Sequence, residues 1–328
     1  MSNKGDFILQ VINIRHPFNP DQIPTGKVVL AMGFFDGVHR GHQAVIEQAK
    51  KIAQQKQLPL AVLTYDHQPA IVYQASKKRV TYLSTVNRKL DLLQQLEVDL
   101  VYVVSFTSAL SALKPQEFVD QYMIGFHADT VVAGFDHTYG PKTVATMQNL
   151  PRYSQQRFDI VEVPAQMDKR LKISSSRIRQ TIDNGDMVLV NDLLGYRYQT
   201  TGVVVHGEAR GRTLGFPTAN VEWPEEERMP SVGVYAVQLQ IGDRWYDGMA
   251  SIGYNVTFGD QRPKTLEINL FDFKQMIYGE NVKVRWIARL RDEIKYTTVE
   301  ALIEQLEHDE LNTKHALAQA RQQTYSLI

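Results

Sequence analysis

The sequence predicts an α/β domain built on a doubly wound parallel sheet, followed by a small closed β-barrel that carries a terminal helix. Three observations lead there. Up to about residue 186, short apolar runs alternate with helical patterns. From about residue 200 the pattern changes to strands separated by turns, and one helical stretch closes the chain. At 328 residues with 43% hydrophobic content, the chain is long for one core, so two domains are expected, 1–186 and 187–328.

In the first half the apolar runs are residues 28–32, 60–64, 100–104, 130–133 and 160–163. Each is apolar almost throughout, as strands buried on both faces are. Val45, Ile46, Ala49, Ile52 and Ala53 recur at helical spacing, and so do Val86, Leu90 and Leu93, which places helices between the strands. Ile178 and Ile182 mark one side of a further helix opened by Ile173-Ser174-Ser175-Ser176-Arg177-Ile178-Arg179. Residues 187–200, including Leu193-Leu194-Gly195, read as a short connecting segment. In the second half the strand candidates are 202–205, 234–241, 244–252, 265–271 and 282–290, with Gly242-Asp243 as a two-residue hairpin turn. Closing that sheet would remove its exposed edges. Thr297 and Glu300 give a capping-box pattern before an apolar stripe of Val299, Leu302, Ile303 and Leu306, which core packing accounts for.

Thirty-six basic residues balance thirty-six acidic ones, which is not the basic footprint of a dedicated nucleic-acid binder. No apolar stretch approaches the length of a bilayer span, and no membrane partner is expected. The absence of cysteine excludes disulfides, thiolate catalysis and iron–sulfur clusters, and it agrees with a cytoplasmic location.

The first chemical signal is Gly33-Phe34-Phe35-Asp36-Gly37-Val38-His39-Arg40-Gly41-His42, set between an apolar strand and an amphipathic helix. Glycines 33, 37 and 41 let backbone approach a ligand, and a helix N-terminus offers free amides to phosphate. His39 and His42 are three apart, a spacing that puts both on one face of the first helical turn. There they can stabilise charge on phosphate oxygens as a nucleophile attacks the α-phosphorus of a nucleoside triphosphate and pyrophosphate leaves. Two solvated histidines are the plainer alternative. A zinc site lacks cysteine, a His-Glu-x-x-His motif and a nearby third ligand. Ser175, Ser176 and Arg179 supply a second phosphate signal, since serines at a helix start donate to phosphate or simply cap the helix, and Arg179 can fork onto phosphate oxygens.

The second half has its own site. Gly211-Arg212-Thr213-Leu214-Gly215-Phe216-Pro217-Thr218-Ala219-Asn220 follows the first barrel strand. Thr218 and Asn220 alternate about Ala219, so both oxygens can project to a hard cation such as magnesium bearing ATP phosphates, or else bond to the backbone of a glycine–proline turn. Period two puts Glu267, Asn269 and Phe271 opposite Leu266, Ile268 and Leu270. If Glu267 faces a pocket, it can take the proton of a substrate alcohol attacking the γ-phosphate of ATP; otherwise it is a surface carboxylate paired with a base such as Lys264.

Taken together and in this order, these motifs resemble the bacterial bifunctional riboflavin kinase/FAD synthetase family over nearly the whole chain. The resemblance also takes in Ala133-Gly134-Phe135-Asp136 with Tyr139-Gly140, Gly233-Val234-Tyr235, Ser251-Ile252-Gly253 and Tyr278-Gly279. It implies a nucleotidylyltransferase domain followed by a kinase barrel. ATP and Mg2+ would serve as co-substrate and cofactor while riboflavin is phosphorylated to FMN and FMN is adenylylated to FAD. It implies ATP binding by Gly33, Phe35, Asp36, Gly37, Gly41, His39, His42, Ser175, Ser176 and Arg179 in the first half. In the second, Gly215, Thr218 and Asn220 would hold ATP and magnesium and Glu267 would act on the ribityl hydroxyl. Asp136 would lie near the flavin or nucleotide. The chain departs from the family pattern at Thr64-Tyr65-Asp66-His67-Gln68-Pro69, where the histidine is displaced by one position, and at His137-Thr138-Tyr139, which replaces an aromatic-Arg-aromatic triplet. Asn255-Val256-Thr257-Phe258 and Tyr296 are further departures in the second half. A kinase with an impaired first domain, a flavin sensor and a nucleic-acid-binding regulator are the alternatives.

Overall fold

The computed structural model describes residues 8–73, 80–207, 211, 214–254 and 264–325. Arg212, Thr213 and the Asn255–Phe258 segment lie outside the described residues. The chain forms two units, one of Met1–Val80 with Thr85–Ser174 and one of Thr81–Ser84 with Ser175–Ile328.

The first unit holds six parallel strands: β1 Gln10–Ile14, β2 Val28–Met32, β3 Leu60–Tyr65, β4 Leu100–Val104, β5 Ala128–Gly134 and β6 Asp159–Val163. Their order is β1-β4-β3-β2-β5-β6, a doubly wound sheet, and β7 Met167–Asp168 and β8 Leu171–Lys172 pair beyond it as a short antiparallel ribbon. The five apolar runs are β2 to β6. Strands β2, β3 and β4 are buried along their whole length, and each fully buried Val or Leu there contributes roughly 1.5–3 kcal/mol. Strand β1 is not among the strands the apolar pattern predicts. It lies on the sheet edge with most of its residues exposed, so its polar Gln10 and Asn13 hide the apolar signal.

Helix α1, Arg40–Lys56, buries Val45, Ile46, Ala49 and Ala53 of the expected face and leaves Ile52 half-buried. Helix α2, Val86–Gln95, is capped by the Thr85 side chain, but its buried face is Lys89, Leu92 and Leu93. The expected Leu90 is only half-buried, and a lysine takes its place.

The second unit begins with helices α3, Ser175–Asp183, and α4, Met187–Leu194. Residues 187–200 are therefore not a simple connector. Asp186 caps α4 through the Leu189 amide, Gly195 ends it in the left-handed region, and Met187, Val190, Leu193 and Leu194 are buried. Asn191 fastens the helix to the barrel, donating to Trp286 O at 2.9 Å and accepting from Tyr198 N at 2.7 Å.

The barrel comprises β9 Gln199–Val205, β10 Thr218–Glu222, β11 Gly233–Ile241, β12 Arg244–Tyr254, β13 Lys264–Leu270 and β14 Asn281–Arg291. It closes antiparallel in the order β10-β13-β12-β11-β14-β9. Gly242 makes the expected hairpin turn with a φ of 56°. Helix α5, Val299–Arg321, starts one residue later than the capping-box pattern implies, because Thr298 rather than Thr297 accepts from the Ala301 amide. The stripe at its start is also corrected. Val299 is exposed and Leu302, Ile303 and Leu306 are half-buried, while Asp309, Thr313, Leu317 and Ala320 are the buried face. Polar residues on that face concealed it from a hydrophobic pattern. No helix among the described residues is long and apolar enough to cross a membrane.

The Asp309 carboxylate, 1% exposed, takes Arg291 Nε at 2.9 Å and Nη2 at 2.6 Å. Arg291→Met should lower the stability of the second unit by about 3 kcal/mol, because it strands a buried carboxylate rather than removing the pair. Urea unfolding followed by far-UV circular dichroism measures this, and a change below about 1 kcal/mol would refute the assignment.

Candidate functional site

In the first unit, the chain leaves β2 through a turn whose backbone is left-handed at Phe35 (φ 51°), Gly37 (φ 78°) and Val38 (φ 36°). Phe35 and Val38 are bulky residues in a region that ordinarily suits glycine, and each costs roughly 1–3 kcal/mol of local strain. Burial at 1% and 0% exposure holds them there. Gly33 is required for a close approach: a Cβ on it would lie 2.9 Å from the Phe35 ring.

His39 is the N-cap of α1 and not part of its first turn, a refinement of the expected placement. Its Nδ1 accepts the His42 amide at 3.3 Å, which leaves the His39 proton on Nε2. The two imidazoles stack with centroids 3.6 Å apart, and the Phe35 ring meets His42 edge-on at 5.3 Å. The sequence thus folds a strained turn, a cap and a helix start in direct succession.

Burial, then the neighbouring His39, Lys89 and Lys172, hold the His42 pKa well below the usual imidazole value. His42 is therefore neutral near pH 7, and its buried Nδ1 has no hydrogen-bond partner. A neutral imidazole beside a helix N-terminus can donate one directed hydrogen bond to a phosphate oxygen without competing for a proton. Asp36 is buried at 1% exposure, and Gly37 and Gly41 belong to the same cradle.

Lys89 was not singled out in the sequence. It reaches from α2 to Phe34 O at 2.8 Å, Tyr65 O at 3.1 Å and Thr64 Oγ1 at 3.2 Å. Its only sequence signal is a lysine interrupting an apolar helix face.

Beyond β3 lies a cavity of about 550 Å³ bounded by Tyr65, Gln68, Pro69, Phe106, Thr138 and Tyr139. The segments that depart from the family pattern, 64–69 and 137–139, thus supply part of its wall. The Tyr139 hydroxyl is buried without a partner, and burial raises its pKa. Burial also pushes the His137 imidazole down to about 4. Asp136 is exposed and ion-paired with Lys172, whose ammonium lies 4.7 Å from the Phe135 ring centre.

Ser175, Ser176 and Arg179 stand on α3, in the second unit. Ser176 is exposed, whereas Ser175 and Arg179 are half-buried. Their grouping with the histidines rests on the sequence.

In the second unit, Pro217 leads directly into β10, a strand that the apolar pattern does not predict. Thr218 pairs with Asn269, and Asn220 with Glu267. Directly opposed residues share a face, so these four side chains stand together. The register continues from Asn269 to Met249 and from Met249 to Ala236, and Ala236 packs against Leu317 and Ala320 of α5. The quartet therefore lies on the outer barrel surface. Thr218 Oγ1 donates to Glu267 Oε2 at 3.2 Å, and Asn269 Nδ2 donates to Pro217 O at 2.8 Å. Gly215 turns the loop with a φ of 84°. A cavity of about 340 Å³ borders Thr218 and is walled by Ile268, Leu270, Phe273, Met276 and Tyr278.

Hydroxyl, amide and carboxylate oxygens on one face suit a hard cation. Among the described residues no group of three His, Cys, Asp or Glu is placed to hold a metal ion. Gly207, also absent from the sequence reading, makes room for Asn220: a Cβ there would fall 2.0 Å from Asn220 Nδ2. Gly207→Ala should displace the amide and lower the riboflavin phosphorylation that the resemblance implies for this barrel about 10²-fold, while leaving the first unit unaffected. Steady-state rates of both reactions check it, and equal rates of phosphorylation in variant and wild type would refute it.

Comparison with known proteins adds to this geometry. The family model for FAD synthetase matches residues 21–177 and that for riboflavin kinase matches residues 194–317. A bifunctional riboflavin kinase/FMN adenylyltransferase of Listeria monocytogenes is 46% identical over 93% of this chain and 98% of its own. That of Bacillus subtilis is 41% identical over 92% and 96%. A solved structure described as a macrolide-efflux protein from Streptococcus pneumoniae is 37% identical, covers 93% of this chain and 98% of its own, and superposes with a TM-score of 0.85. With both domains matched and relatives aligned nearly end to end, the chain belongs to the bifunctional riboflavin kinase/FMN adenylyltransferase family.

Proposed function

We propose that this protein phosphorylates riboflavin to FMN with ATP and then transfers AMP from a second ATP to FMN, giving FAD and pyrophosphate. The observation that carries this reading is the Thr218–Asn220–Glu267 group on a barrel matched to riboflavin kinase, with a cavity of about 340 Å³ that Thr218 borders.

In the kinase step, Glu267 takes the proton of the terminal ribityl hydroxyl as that oxygen bonds to the γ-phosphorus and ADP departs. Thr218 and Asn220 would hold magnesium, which supplies charge neutralisation at the phosphates when bound. Thr218 also orients the Glu267 carboxylate through its hydroxyl.

In the adenylyl step, a phosphate oxygen of FMN bonds to the α-phosphorus and the bond to pyrophosphate breaks. FMN phosphate is already an anionic nucleophile, so no base is required. His39, His42 and the α1 amides donate to the oxygens where charge accumulates. Ser175, Ser176 and Arg179 would bind the departing phosphates, and the cavity lined by Tyr65, Phe106 and Tyr139 would take the flavin, with Asp136 at its approach. Residues 1–186 carry this step, and 187–328 the kinase step, in a cytoplasmic enzyme.

Incubation with magnesium ATP and riboflavin, followed by chromatographic separation of flavins, tests the whole reading. FMN and then FAD are expected. FMN without FAD would mean that the first unit is not an adenylyltransferase.

A further inference from the structure

Lys89 is 2% exposed, and the chemistry above leaves it without a task. Its ammonium has three N–H donors and meets three acceptors: Phe34 O at 2.8 Å, Tyr65 O at 3.1 Å and Thr64 Oγ1 at 3.2 Å. Thr64 in turn donates to Phe34 O at 2.9 Å. The ammonium also lies 4.5 Å from the centre of the Phe34 ring. These partners are the first turn beyond β2 and the last residues of β3. Phe34 is next to Phe35, where the left-handed backbone begins, and such strain persists only where neighbouring structure over-determines it.

We propose that Lys89 is a positioning residue for adenylyl transfer: it ties the turn after β2 to the end of β3 and so fixes the cradle that carries His39 and His42. This rests on the adenylyl transfer proposed above. Lys89 need touch neither ATP nor flavin. Its effect passes through the Phe34 carbonyl to the turn and then to the cap of α1.

The geometry makes the clamp sensitive to protonation. A neutral amine has two N–H donors for three acceptors, so one of the three contacts is lost. Burial lowers the Lys89 pKa to about 8 against the opposing pull of Asp36 and Asp66. The charged and titratable groups facing this region are Asp36 on the cradle, Asp66 beyond β3 and His42 on α1.

The test uses the full-length enzyme and measures FAD formation from supplied FMN with magnesium ATP. In Lys89→Met, kcat should fall about 10²-fold with little change in KM for ATP, and FMN formation from riboflavin should be unchanged. In the wild type, kcat for FAD formation should decline as pH rises through about 8, and this limb should be missing from the residual activity of Lys89→Met. Proton NMR should show the His42 titration moved upward in the variant, because a charge that lowers it is gone. A role in stability alone would weaken folding yet leave kcat of the folded enzyme and the alkaline limb in place.

Unchanged kcat in Lys89→Met, or a wild-type profile flat from about pH 7 to 9, would overturn the proposal. The wild-type profile needs no variant, so a poorly folding Lys89→Met does not protect it. A wild type that makes no FAD at all would instead overturn the proposed function.

Discussion

Glu267→Gln is expected to reduce FMN formation by about 10²–10⁴-fold, the usual contribution of a positioned base, while FAD formation from supplied FMN stays at the wild-type rate. Glutamine keeps the length of glutamate and retains an oxygen able to accept the Thr218 hydroxyl, which donates to Glu267 at 3.2 Å. The register of β10 on β13 and the outer barrel face therefore survive the change. What is lost is the ability to receive the ribityl proton, so the deficit should lie in kcat and spare KM for riboflavin. Glu267→Asp sharpens the test, since it keeps the base but shortens its reach, and should fall between the two. Chromatographic rates for both reactions from one preparation decide the matter. Equal loss of FMN and FAD formation would mean that the two steps do not occupy separate sites.

How much of this was legible in the sequence depends on where the determining interaction lies. Strands β2 to β5 could be read because both faces are buried, and a run such as Leu60-Ala61-Val62-Leu63 has no competing interpretation. Alternation puts Thr218 and Asn220 on one face and Glu267 and Asn269 on another, since side chains two apart share a face, but it leaves a backbone-bonded turn and a surface carboxylate equally open, and only the family resemblance turns these residues into a candidate site. That Thr218 opens a strand was not, because Gly215 and Pro217 dominate the local pattern. Helix α4 was underread despite clear signals. Asp186 and Gly195 bracket it, yet the apolar content of Leu193-Leu194 was attributed to a connector. Asn191 could not be foreseen, because its partners Trp286 and Tyr198 are supplied by the closed barrel. Lys89 and Gly207 share this limit. A lone lysine acquires meaning only when β2 and β3 bring Phe34, Thr64 and Tyr65 around it, and a glycine only when Asn220 fills the space above it.

His42→Ala should lower FAD formation from FMN by about 10²–10³-fold, the range for removing one directed donor to a developing oxyanion, with FMN formation from riboflavin unaffected. The variant is a clean probe because the cap of α1 uses the His42 backbone amide and the His39 ring, neither of which the substitution removes. His39→Ala is not equivalent. It loses the cap as well, about 1 kcal/mol of helix stability, and mixes folding with chemistry. The protonation state gives a second check. Burial and the cations Lys89 and Lys172 hold His42 neutral, so its contribution to kcat should not vary between about pH 6.5 and 8. A cationic role would instead show activity falling as pH rises through the ordinary imidazole range near 6.5. The same depression has a sign for stability. When a folded-state imidazole pKa lies below its unfolded value, the unfolded chain binds more protons between the two, and stability drops as pH falls through that interval. His137, pushed down to about 4, acts in the same direction. Thermal unfolding should therefore show the first unit losing stability as pH is lowered from about 6.5 toward 4, and His42→Ala should flatten that slope. A slope unchanged by the substitution would show that folding does not depress the His42 pKa, and the assignment of a buried imidazole held neutral by its surroundings would have to be abandoned.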